Sequence, residues 1–172
     1  MKWLIILLLN FFAVSYSSGE FNPAEHVLSD KVITASRNND SSSFSEADYE
    51  KITEYLSQGR THWIELYTML NRSPFSGATS FQEGLDIAMA LALSENPEAV
   101  LKYVNQSNVS KLCGMPFIEP TPDETEAYFL KARAALTRLT SENELKRRCL
   151  TVLEKSHAHL AVEIRQGKGA LQ

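Results

Sequence analysis

The stretch Cys113–Glu124, CGMPFIEPTPDE, constrains this chain more than any other, because no regular helix or strand can run through it. Pro116, Pro120 and Pro122 fix φ, remove backbone donors and push Met115, Glu119 and Thr121 towards extended conformations. Gly114 permits backbone angles that other residues avoid. Gly114 to Pro120 is therefore expected to be an ordered, non-helical connector. It leads into a helix start: Thr121 caps, Pro122 takes the first helical position, and Glu124 stands three residues after the cap. Met115, Phe117 and Ile118 are apolar residues in a segment that, as a loop, lies on the surface. Either they fold back onto the core or they form a partly exposed apolar anchor for a partner.

Helical sequence flanks the connector on both sides. Asn22, Pro23 and Glu25 supply cap, first position and third position of a helix ending near Arg37. Asn38 to Ser45, NNDSSSFS, is polar and turn-rich and reads as a linker. Ser45 and Asp48 form a variant capping box, and Gly59 is expected to break the following stretch into two helices. Ser80 to Glu83 reads as another capping box, opening a helix from Phe81 to Leu93 that is apolar nearly all round and so central. Asn96-Pro97-Glu98 restarts a helix at once. Asp123 to Leu139 follows the connector, and Ser141 to Glu144 reads as the capping box of a last helix, from Glu142 to about Arg165. Leu145, Cys149, Val152, Leu153 and Leu160 line one face of that helix, which makes Cys149 an inward position.

No stretch alternates apolar and polar residues over strand length, and only 7 glycines and 6 prolines argue against a turn-rich β architecture. The fold class is all-α: an antiparallel helical bundle or stacked helical hairpins, with about six or seven helices after a signal peptide. At 172 residues one domain is expected, divided as residues 18–45 (helix and polar linker) and 46–172 (helical domain).

Residues 1–17 have the three parts of a secretory leader. Lys2 is basic, Trp3 to Val14 is apolar and shorter than the roughly 20 residues a membrane-spanning helix needs, and Ser15 and Ser17 are small. Cleavage is expected after Ser17, and export to the periplasm or the exterior follows. Two cysteines remain, Cys113 and Cys149, and an even pair in an exported chain is expected to form a disulfide.

The chemistry-bearing residues are few. His157 and His159 lie two apart, a spacing that puts them on different sides of a helix, so they read as solvated surface rather than a metal pair. His159 and Glu163 share a face, but two ligands do not make a site. His62 reads as packing at a helix start. Glu25, Asp48, Glu83, Glu124 and Glu144 sit where capping needs acids. Asp86, within the apolar helix, is either on a narrow solvent-facing strip or a carboxylate facing a cleft. Glu119, held between Ile118 and Pro120, is the second functional candidate. No nucleophile elbow, phosphate loop, dinucleotide fingerprint, zinc motif or calcium loop occurs, so no cofactor or metal is called for. The net charge of −4 and the absence of a Lys/Arg-rich run disfavour nucleic-acid binding.

The expectation is an exported, bacterial periplasmic or secreted helical module that binds another protein, for example an adaptor or an inhibitor or immunity protein for a secreted toxin. Its binding residues are expected among Met115, Phe117, Ile118, Glu119 and Asp86. Two alternatives stand beside it. One is a hydrolase acting on cell-envelope material through Asp86 and Glu119. The other is a structural or ligand-binding helical domain.

Overall fold

Five helix starts among the described residues are set by a capping side chain within one turn of them. The structure, a computed structural model, describes residues 22–141 and 143–166. The expected leader, residues 1–17, lies outside these residues. Eight α-helices and no strands occur among the described residues. They are α1 (Pro23–Asn38), α2 (Glu46–Ser57), α3 (Thr61–Leu70), α4 (Thr79–Glu95), α5 (Pro97–Leu101), α6 (Val109–Leu112), α7 (Pro122–Arg138) and α8 (Glu144–Arg165). The one-turn α6 brings the number above the expected six or seven.

The side chains of Asn22, Ser45, Asn96 and Thr121 each accept a hydrogen bond from the backbone N–H three residues on, and Ser45/Asp48 and Thr121/Glu124 close reciprocal boxes. Two expected caps are corrected. α4 begins at Thr79 with Ala78 in the cap position and no side-chain bond, because a 3-10 turn, Phe75–Gly77, feeds straight into it. The Gln82 amide, which the capping reading left idle, donates back to the carbonyls of Leu70 and Phe75. α8 is capped by Asn143, whose side chain accepts from the Lys146 N–H at 2.8 Å. Lys146 Nζ in turn donates to the Leu139 carbonyl and closes the α7/α8 joint.

Gly59 does separate α2 from α3. Its φ is +71°, a region that side-chain-bearing residues avoid, and a Cβ there would stand 2.5 Å from Glu95 Cβ. The Asn96 amide donates to the Gly59 carbonyl at 2.9 Å. The α2/α3 turn is thereby fixed against the α4/α5 joint, and α2 and α4 run side by side in the same direction.

α4 is the central helix. Leu85, Met89, Ala92 and Leu93 are fully buried, and α2, α3, α5, α6 and α7 all pack against it. The leucine and methionine side chains among them each contribute about 1.5–3 kcal/mol. Tyr128 of α7 donates its hydroxyl to the Ala90 carbonyl at 2.7 Å and so pins α7 to α4. α7 and α8 form an antiparallel hairpin, with Arg133 opposite Glu154 and Glu126 opposite His157.

α1 shares this core through Leu28, Val32 and Ala35. Contacts span the Asn38 to Ser45 stretch. Lys31 bridges across it to Asp48 at 2.7 Å, and the Phe44 ring packs on Tyr49 and Phe75. The Glu25 carboxylate is completely buried. It accepts from Trp63 Nε1 at 2.7 Å and from Arg60, so it ties α1 to α3 and caps nothing. Its capping role belongs to its backbone N–H alone.

Candidate functional site

Cys113 and Cys149 form a disulfide, with Cα atoms 5.1 Å apart and both residues fully buried. The bond joins the end of α6 to the second turn of α8. From there the connector runs along α8 towards the start of α7. Gly114 is needed here for closeness rather than for an unusual φ: a Cβ would meet the Ser110 carbonyl oxygen at 2.5 Å and Ser156 Oγ at 3.5 Å.

The apolar trio divides. Met115 and Phe117 are half-buried against the core, Phe117 standing edge-on to Tyr128 at 5.5 Å between ring centres. Ile118 instead is 82% exposed. The prolines explain the split: Pro116 is buried and holds its neighbours to the core, whereas Ile118 and Glu119 stand on the outer side of the bend before Pro120.

Asp86 projects from α4 towards the same segment. Its Oδ1 accepts from the Tyr67 hydroxyl and its Oδ2 from Lys111 Nζ, each at 2.9 Å. Burial, then the bond to Asp86, pushes the Tyr67 hydroxyl well above the usual tyrosine range. The bond to Asp86 raises Lys111 in the same sense. Both donors therefore stay protonated at neutral pH, and both carboxylate oxygens are engaged. With its side chain 21% exposed, Asp86 is a half-buried anchor between α3, α4 and α6. The solvent-strip reading is corrected accordingly.

These residues border one cleft of about 340 Å³, walled by Glu83, Asp86 and Ile87 of α4, Lys111 of α6, and Met115 to Ile118 of the connector. Asp86, Met115, Phe117 and Ile118 are thus brought together, and Glu119 is left exposed outside the lining. What the arrangement offers is apolar surface with one ion pair at its edge. A nucleophile paired with a base is not part of the lining.

The histidines are settled by their neighbours. His157 is no solvated residue: its ring stacks on Phe129 at 3.9 Å, and Nε2 lies 2.9 Å from Glu126. His159 is exposed beside Glu163, and His62 Nε2 lies 2.6 Å from Ser29 Oγ, between α3 and α1. Among the described residues no three His, Cys, Asp or Glu side chains are grouped to hold a metal ion, and no helix is long and apolar enough to cross a membrane.

Two features escaped sequence reasoning. One is the buried Glu25, whose partners are 35 and 38 residues away. The other is a trough between α2 and α4, in which Gly84 was the available signal: a glycine inside a helix with no cap or break to explain it. No family model, curated protein or solved structure matches the chain.

Proposed function

We propose that this chain is an exported protein-interaction module that presents its connector, with Ile118 foremost, to another protein. The observation that carries the reading is the 82% exposure of Ile118 within a segment framed by prolines and begun by a disulfide. A single exposed isoleucine is ordinary on a flexible surface. On a braced segment beside an apolar cleft it is a preorganised anchor, with little conformational entropy left to lose on binding. An adaptor, or an inhibitor or immunity protein for a secreted toxin, works in this way. The disulfide and the leader pattern support a periplasmic or secreted location. Hydrolysis through Asp86 and Glu119 is less well supported, because Asp86 is engaged by Tyr67 and Lys111 and Glu119 lies outside the cleft lining.

A photo-crosslinking residue placed at position 118 of the full chain, in its native host, tests the proposal; Lys155, exposed on α8, is the comparison position. A discrete adduct formed from 118 and not from 155 is expected. The partner so found should also lose affinity for an Ile118→Asp protein of unchanged melting temperature. Equal labelling from both positions, or undiminished binding by Ile118→Asp, rejects the reading.

A further inference from the structure

We infer that the trough between α2 and α4 is the docking groove for an amphipathic helix of the partner, one bearing Lys or Arg on successive turns beside an apolar stripe; this rests on the interaction-module reading. Two cavities, of about 350 and about 340 Å³, lie end to end between the helices and share Glu50, Thr53 and Gly84 in their walls. One reaches Glu46 and the other Ser57, so the trough follows α2 for about 16 Å, or three turns of a bound helix. Ile87 borders both the second cavity and the connector cleft, so the trough opens towards Ile118.

Charge and shape argue for this occupant. Glu46, Glu50 and Glu54 stand one turn apart along one wall, and no Lys or Arg lines either cavity. The carboxylates of Glu46 and Glu50 have no hydrogen-bond or ion-pair partner among the described residues, while Glu54 pairs with Lys51. Like charges at this spacing repel. A cationic helix laid along them relieves the repulsion and is held in register by it. The floor is apolar where Ile87 and Leu91 lie half-buried, and it is low where Gly84 has no side chain.

Gly84 is the independent observation. Its φ is not left-handed, and a Cβ would meet nothing nearer than Thr53 Cγ2 at 3.7 Å. The fold has room for a methyl group there, and an alanine would favour the helix. A glycine at that point makes physical sense when another backbone comes close to it, as in helix-in-groove recognition.

The probe is a fluorescent synthetic peptide of about 15 residues, long enough to form a helix on the surface, with Lys at every fourth position beside a leucine stripe. A scrambled peptide of the same composition is the comparison, and the full disulfide-bonded chain is the receptor. Fluorescence anisotropy should show the amphipathic peptide binding at least ~tenfold tighter than the scrambled one. Gly84→Leu, whose Cβ would meet only Thr53 Cγ2 at 3.7 Å, raises the floor of the trough and should abolish that preference at unchanged or raised melting temperature. Glu50→Lys, a surface change, should weaken binding too and serves if Gly84→Leu fails to fold. Equal binding of both peptides reduces the effect to net charge and overturns the inference. So does undiminished binding by both variants. A wild-type dimer in light scattering that Gly84→Leu dissociates would make a second copy of this chain the occupant, and also overturns it. The two proposals separate cleanly. If the position-118 adduct survives Gly84→Leu and Glu50→Lys, the helix groove falls and the module stands. Peptide binding without an adduct at 118 keeps the groove and rejects Ile118 as the anchor.

Discussion

Replacing Glu25 with alanine should destabilise the protein by about 2–4 kcal/mol, and the figure follows from what the carboxylate holds. Glu25 is fully buried and accepts from two groups. Without it, Trp63 Nε1–H is left in the core with no acceptor, at about 1–3 kcal/mol. Arg60 loses its ion pair, but it is 38% exposed, donates to Gln58 at 2.8 Å and rests on the Tyr55 ring at 4.5 Å. Its loss therefore falls well below the 3–5 kcal/mol typical of breaking a fully buried pair. The void left by the deleted methylenes adds a further contribution of about 1 kcal/mol. Glu25→Gln keeps an acceptor for Trp63 and removes only the charge, so it should cost about half as much. Urea denaturation of wild type, Glu25→Ala and Glu25→Gln measures both. At this chain length each kcal/mol lowers the melting temperature by about 2–4 °C. Amide exchange in α1 should accelerate before that in α4. A change below ~0.5 kcal/mol for Glu25→Ala, the range of an ordinary surface substitution, would falsify the claim that this carboxylate locks α1 onto α3.

Three further outcomes are expected. Cys149→Ser, or reduction, should lower stability by about 4 kcal/mol, since the bond closes a loop between residues 36 apart; thiol labelling of the unfolded, unreduced chain should find no reactive cysteine, and two would refute the bond. Gly59→Ala should cost about 2–4 kcal/mol, from its left-handed φ and the close Glu95 Cβ, whereas Gly84→Ala should stabilise by about 0.5–1 kcal/mol; equal effects in calorimetry would contradict the geometry at one of them. The Lys31 ammonium, then the Ser45 backbone N–H, hold Asp48 below the ordinary carboxylate value of 3.8. A carboxylate lowered by folding stabilises above its unfolded value, and that contribution is lost as pH falls through the folded value. Asp48→Asn should therefore flatten the acid limb of a stability-versus-pH curve below 3.8 and leave its shape near neutrality unchanged.

The residues divide into those that local chemistry decides and those that packing decides. The starts of α1, α2, α5 and α7 were legible because a cap is settled by bonds spanning three residues, all present in the local sequence. The break at Gly59 was legible for a similar reason, since a glycine between helical runs marks where the chain turns left-handed. The inward stripe of α8 placed Cys149 in the core, and the nearly continuous apolar surface of α4 placed that helix at the centre, because helical period alone sorts side chains into faces. Local rules failed where a neighbouring turn or a second capping residue competed for the start. The 3-10 turn before α4 displaced the Ser80 cap, and Asn143 rather than Ser141 capped α8.

The candidate site belongs mostly to the second group. Sequence named Asp86, Met115, Phe117 and Ile118 one by one, but only the tertiary structure put them around one cleft. It half-buried Met115 and Phe117, exposed Ile118 and supplied Asp86 with Tyr67 and Lys111. Glu25 looked like any first-turn acid, and nothing within a turn of it distinguishes a carboxylate that caps from one that turns inward. Its role was decided when α3 brought Arg60 and Trp63 to it. The reason is one of range. Backbone conformation answers to neighbours within about one helical turn, and those are written consecutively. Burial, ion pairing and clefts are made by residues tens of positions apart, and only packing determines which of them meet.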